Sequence, residues 1–166
     1  MPLIDAPKTN SNPENCRSCV DFKSWAKQQR KSLSTSEKKD AKKENPEVET
    51  PRRDDCPLDK DGLGRSTWGL LHTIAAHYPE EPTEQQKKYV KSFFGTLSML
   101  YPCEYCARDF QKELKETPIQ LQNQHALSQW LCRMHNKVNV KIGKPEFDCS
   151  KVNERWRDGW LDGSCD

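Results

Sequence analysis

Apolar residues recur at every third or fourth position from Gly64 towards the carboxyl end, and no long alternating or β-branched run interrupts them. That spacing gathers apolar side chains on one face of a helix, whereas a half-buried strand needs strict alternation. Trp68, Leu71, Ala75 and Tyr78 make a first helical face ahead of Pro79. Thr83 and Gln86 form a capping-box pattern, and Tyr89, Phe93 and Leu97 predict a buried stripe on a second helix that runs towards Pro102. Cys103 to Glu116 reads as a third helix, with Phe110 and Leu114 one turn apart and Thr117-Pro118 ending it. A fourth extends from Asn123 to Lys141, carrying Leu127, Trp130, Leu131, Met134 and Val138 on one broad face before Gly143 and Pro145 stop it. Ser150 is placed to cap a short fifth helix containing Trp156 and Trp160. The pattern predicts an all-α fold, a compact helical bundle.

Upstream the periodicity fails. Ser32 to Asp55 contains only Leu33 and Val48 as aliphatic residues larger than alanine, so ordering it would cost backbone entropy with almost no apolar burial in return. Residues 1–55 are therefore expected to be a flexible tail and linker, and residues 56–166 a helical domain. Within the tail, Cys16 and Cys19 sit beside Val20, Phe22 and Trp25, a small apolar island. Hydrophobic residues make up 33% of the 166 positions and charged ones 31%, which fits one core plus polar length outside it. The net charge of +2 provides no global field for polyanions, so nucleic acid is disfavoured. No run reaches the roughly 18 apolar residues of a membrane span, and MPLIDAPKTN lacks the basic and apolar parts of a secretory signal.

Eight cysteines change the picture, because they make thiol chemistry, disulfides or metal the first questions. Cys103 and Cys106 flank Glu104-Tyr105 at a predicted helix start. Unpaired amide donors there favour a thiolate, and a two-residue spacer lets the pair close into an exchangeable disulfide. The strand that precedes such a pair in a thioredoxin-like unit is missing. Zinc is the competing reading: Cys16, Cys19, Cys103 and Cys106 supply four thiolates for a non-enzymatic adaptor, although the long separation between the pairs argues against it. Cys132-x-x-His135 also has metal-like spacing, but inside a core helix. Cys132 and Cys149 favour a static disulfide stapling the fourth helix to the segment before the fifth, worth roughly 3 kcal/mol for a loop of about 17 residues. Cys56 and Cys165 bracket the helical region and leave bonding within the chain or to a second subunit equally open. His72, His135, Asn136, Asn139, Lys141 and Lys144 are polar groups on or beside helical faces; they suit a planar ligand, or equally a set of satisfied core histidines and surface residues.

Taken in order, LGRSTWGLLHTIAAHYP, YPCEYC, CRMHNKVNVKIGKPEFDC and RWRDGW resemble the flavin-linked sulfhydryl oxidases of the Erv family, augmenter-of-liver-regeneration type. The resemblance covers nearly all of residues 54–166 and the Cys16-Arg-Ser-Cys19 region. It implies a four-helix bundle with a short fifth helix packed around FAD. Leu63, Gly64, Arg65, Ser66, Trp68 and His72 would border the flavin on the first helix. Cys132, His135, Asn136, Val138, Asn139, Lys141 and Lys144 would border it from the fourth helix and the following turn, with Arg155 and Trp156 closing the site. By the same resemblance Cys103 receives electrons from thiols, Cys106 delivers them to the flavin, and Cys16-Cys19 is a shuttle between a protein client and the core. A head-to-tail homodimer linked through Cys56 and Cys165 of opposite chains is also implied. So are a Mia40-type dithiol client, cytochrome c or oxygen as acceptor, and the mitochondrial intermembrane space, with cytosolic or extracellular pools. Exposed charge and a dimer would also permit a signalling or scaffold role, the alternative to enzymatic activity.

Overall fold

A computed structural model describes residues 56–165. Cys16, Cys19 and the linker expected before residue 56 lie outside the described residues. Four helices follow in order: α1 Lys60–Ala76, α2 Glu84–Leu100, α3 Glu104–Glu116 and α4 Gln124–Lys141. A 3₁₀ turn, Cys149–Lys151, and a short fifth helical segment of π type, Glu154–Asp158, complete the chain. The described residues contain no strand. They divide into two compact units at Leu63 and Gly64, so α1 begins in the smaller unit and continues into the larger.

Local chemistry accounts for the boundaries. Asp59 opens α1, its Oδ1 accepting the Gly62 amide at 2.8 Å. This helix starts a turn earlier than the apolar spacing indicates, because a capping aspartate and not a hydrophobic residue sets its beginning. At α2 the capping box forms in full: Gln86 N donates to Thr83 Oγ1 at 3.2 Å, and Thr83 N donates to Gln86 Oε1 at 2.8 Å. Asn123 Oδ1 takes the Ala126 amide to open α4. Asp148 caps the 3₁₀ turn, its Oδ1 accepting both the amide and the hydroxyl of Ser150; Ser150 does not cap the fifth segment, whose N-cap position is Asn153 with no side-chain hydrogen bond. A carboxylate is the stronger acceptor, and it sits one residue before the turn, where the free amides point. Trp160 lies beyond the fifth segment.

The core of the larger unit joins Leu71, Ala75, Tyr78, Phe94, Leu127, Trp130, Leu131 and Met134. Phe94 meets both Phe110 and Trp130 edge-on, at centroid distances of 6.4 and 5.3 Å. The buried row of α2 is displaced by one residue from the sequence expectation. Phe94 and Ser98 are buried and Val90 and Leu97 pack on the core, while Tyr89 is 65% exposed and Phe93 37%. Adjacent apolar rows on a helix differ by only about 100°, so two neighbouring stripes satisfy the same periodicity and tertiary packing selects between them.

Cys132 and Cys149 are bonded, closing a sequence separation of 17. Replacing both by serine is expected to cost about 3 kcal/mol of unfolding free energy through lost restriction of the unfolded chain. Urea denaturation measures this directly, and an unchanged midpoint would contradict it. Among the described residues, no helix is long and apolar enough to cross a membrane.

Candidate functional site

Two features of the larger unit carry chemistry. The first is the Cys103–Cys106 pair, which is disulfide-bonded at the beginning of α3. Cys103 is the N-cap residue, and its sulfur accepts the Cys106 amide at 3.4 Å. The pair thus sits where the unpaired amides and positive end of a helix stabilise a thiolate released on reduction. Cys103 is 1% exposed, whereas Cys106 is partly accessible.

The second feature is an aromatic cluster drawn from three elements. Trp68 of α1 stacks on His135 of α4 with ring centroids 4.1 Å apart, and His72 stacks on Trp156 of the terminal segment at 4.6 Å. His72 Nε2 and His135 Nδ1 share a hydrogen bond of 3.0 Å. The Arg155 guanidinium lies over the Trp156 ring, 4.5 Å from its centroid. Burial drives the His72 pKa down to about 3, assisted by His135 and Arg155. Burial also lowers His135 to about 4, with Lys144 adding repulsion. Both imidazoles are consequently neutral near pH 7, and each has one nitrogen to donate and one to accept.

His72 Nδ1 is buried without a hydrogen-bond partner from the protein. A buried polar atom left unpaired among stacked rings is costly unless a ligand satisfies it. The arrangement therefore fits a planar, polar-edged aromatic group such as the rings of the flavin cofactor expected from the sequence. Trp68, His72, His135 and Trp156 supply stacking surfaces and ring nitrogens, and Arg155 supplies positive charge nearby.

Other expected site residues are committed differently. Asn136 makes a paired contact with Phe147: its Nδ2 donates to the Phe147 carbonyl at 2.8 Å and its Oδ1 accepts the Phe147 amide at 2.9 Å. It fixes the chain after α4. Asn139 donates to Asn136 Oδ1 at 3.3 Å. The Lys141 ammonium is held by Asp109 at 2.7 Å and Glu113 at 3.2 Å. Cys132 is occupied by its bond to Cys149, and Val138 is partly exposed beside the core face. Lys144 is exposed, its amide donating to the Asn139 carbonyl at 2.8 Å. Leu63 belongs to the smaller unit, while Gly64, Arg65 and Ser66 form the next turn of α1, the latter two exposed. Cys56 and Cys165 are free within the single chain. Among the described residues no group of three or more potential ligands is gathered for a metal ion.

Sequence reasoning missed Asp109, Glu113 and Lys137. Lys137 Nζ lies 2.6 Å from Glu113 Oε2 and 3.0 Å from Thr117 Oγ1. The available signal was charge complementarity at equal spacing: Asp109 and Glu113 are four apart on α3, Lys137 and Lys141 four apart on α4.

A helical bundle with a dithiol pair at one helix start and a ring-stacked, imidazole-lined site defines a class, and comparison with known proteins gives it a family. The chain belongs to the Erv1 / Alr family, whose model matches residues 65–157. It is 49% identical over 104 residues to the mitochondrial FAD-linked sulfhydryl oxidase ERV1 of Saccharomyces cerevisiae, covering 63% of this chain and 55% of that protein. It is 50% identical over 114 residues to the FAD-linked sulfhydryl oxidase ERV1 of Oryza sativa subsp. japonica, covering 67% of this chain and 58% of that one. The chain thus spans little more than half the length of these curated relatives. Crystallised yeast Erv1 core superposes with a TM-score of 0.64 at 47% identity, over 69% of this chain and 97% of the other. The FAD-binding domain of Erv1 from Saccharomyces cerevisiae gives 0.61 at 48% identity, over 63% and 99%.

Proposed function

We propose that this chain is an FAD-linked thiol oxidase that forms disulfides in protein clients. The observation that carries the reading is the Cys103–Cys106 disulfide at the start of α3, in a bundle that also assembles Trp68, His72, His135 and Trp156. The printed names of the family relatives support it.

The chemistry follows from thiol–disulfide exchange. A client thiolate attacks Cys103 Sγ, the bond to Cys106 breaks, and Cys106 leaves as a thiolate at the amino end of α3. The second client thiol then displaces Cys103, so the client gains a disulfide and the chain holds two thiols. Re-forming the Cys103–Cys106 bond releases two electrons and two protons. FAD, when bound, supplies the two-electron acceptor and the onward route to oxygen or cytochrome c. Trp68, His72, His135 and Trp156 would hold the cofactor's rings, with Arg65, Arg155 and Lys144 meeting its polar groups and Gly64 and Ser66 bordering it.

Cys16 and Cys19 act as the shuttle in this proposal, the Cys56 and Cys165 thiols link a head-to-tail homodimer, and a Mia40-type dithiol protein in the mitochondrial intermembrane space is the client. The domain division at residues 55 and 56 belongs to the same reading. Purified protein should be yellow, release FAD on denaturation and consume oxygen with dithiothreitol. A folded, colourless protein that takes up no FAD would overturn the proposal. The zinc-bound adaptor is not favoured, since Cys103 and Cys106 are bonded to each other.

A further inference from the structure

The pair of cysteines lies at one end of α3, and something must fix that end relative to α4, which carries His135. Cys106, Asp109, Phe110 and Glu113 recur at three- and four-residue intervals and therefore share a helix face. Phe110 packs against the core, so this face turns inward. Along it stands an ionic ladder. Glu113, 7% exposed, sits between Lys137 at 2.6 Å and Lys141 at 3.2 Å, and Lys141 reaches on to both Asp109 oxygens at 2.7 and 2.8 Å. Asp109 is one turn from Cys106.

We propose that Glu113 is a positioning residue: through Lys137 and the Lys141–Asp109 rung it sets the Cys106 end of α3 against α4, and so the approach of the Cys106 thiolate to its electron acceptor. This rests on the thiol-oxidase reading above. Burying a carboxylate between two ammonium groups is a poor route to stability, because desolvation offsets most of the attraction. It is a good route to register, since each long lysine must meet a defined carboxylate oxygen. The Lys137 hydrogen bond holds the Glu113 carboxyl below its ordinary range, with Lys141 adding to the effect, so the ladder stays charged at neutral pH. The chain just beyond α3 has separate ties to α4: Trp130 Nε1 donates to the carbonyl of Thr117, the C-cap residue, at 3.1 Å, and Arg133 donates to Gln120 at 2.9 Å. Removing the Glu113 charge therefore leaves the helix attached and loosens the ladder that runs towards Cys106, with the Lys141–Asp109 rung as its remaining tie.

The step affected is the transfer of two electrons from the Cys103/Cys106 dithiol to oxidised flavin, with the disulfide re-forming and two protons released. The test uses the flavin-loaded full chain, mixed anaerobically with dithiothreitol. Opening of the disulfide is followed by thiol trapping and flavin reduction by loss of its visible absorbance. In Glu113→Gln, flavin reduction should slow about ten- to a hundredfold, as a displacement of roughly 1 Å would cause, while disulfide opening, flavin content and melting temperature stay near the parent values. Asp109→Asn, which removes the rung nearest Cys106, should slow the same step at least as much. Glu113→Asp, which keeps a carboxylate between Lys137 and Lys141, should retain most of the rate.

Unchanged flavin reduction in Glu113→Gln would overturn the proposal. So would a loss that follows flavin content or melting temperature and is as large in Glu113→Asp, since that is the mark of a merely structural residue. A parent protein that binds flavin but shows no reduction by dithiol would instead bring down the thiol-oxidase reading itself, and is seen before any variant is made.

Discussion

Cys106→Ser is expected to abolish dithiol oxidation, lowering turnover on the order of a thousandfold or more while leaving the flavin bound, as removal of a reacting group typically does. Serine keeps the volume and the amide that caps onto Cys103, so α3 retains its start. What disappears is the sulfur that must leave as a thiolate and then re-form the disulfide. The aromatic cluster draws on Trp68, His72, His135 and Trp156, none of which touches this position through a ring contact, so the cofactor's colour should persist. Oxygen uptake with dithiothreitol, measured on protein of matched flavin content, decides the point. Activity retained in the variant would show that electrons do not pass through this sulfur.

The second large effect is on acid stability. His72 and His135 are neutral in the fold because burial opposes their charge, with pKa values of about 3 and about 4 against an ordinary value of 6.5. In the unfolded chain both take up protons once the pH drops below 6.5. The unfolded state then binds more protons than the native one, so stability falls as pH falls. The contribution is fully present above pH 6.5 and declines until His135 titrates near 4 and His72 near 3. Each unit of pH in that window removes up to about 1.4 kcal/mol for the well-buried His72, and less for the partly exposed His135, whose charge solvent screens. Urea unfolding at about pH 7.5 and about pH 5 tests this. His72→Phe, which keeps a ring against Trp156, should flatten the dependence. Equal midpoints at the two pH values would refute the argument.

Much of the fold was legible because caps and breakers are local. Thr83 with Gln86, Asn123, Pro79 and Gly143 mark helix ends through hydrogen bonds or restrictions that operate within a few residues, and the structure places the ends there. The failures are equally physical. The sequence-based reading fixed on the apolar stripe and overlooked Asp59, so α1 began late. It chose Tyr89 and Phe93 over Val90 and Phe94, because neighbouring rows differ only in which one Trp130 comes to meet. At the site, Trp68 and His72 are one turn apart and predictably adjacent, but their partners His135 and Trp156 arrive from remote helices, and periodicity says nothing about that meeting. The resemblance to a family of flavin-linked oxidases provided it. Even so, a resemblance cannot show which polar side chains the protein itself has already engaged. Asn136 and Lys141, expected beside the cofactor, also have partners within the protein: one braces Phe147 and the other bridges Asp109 and Glu113.

The bracing around Phe147 has its own consequence. The exposed turn from Gly143 to Glu146 is spanned on both sides by ties between α4 and the chain beyond it: the Cys132–Cys149 bond, the double contact of Asn136, and Gln129 Nε2 donating to the Cys149 carbonyl at 2.8 Å. A protease that nicks this turn would leave two fragments still fastened together under oxidising conditions, migrating as one species until a reductant is added. Amides on either side of the cut would exchange slowly with solvent deuterium, since severing the loop leaves that local cooperative unit closed.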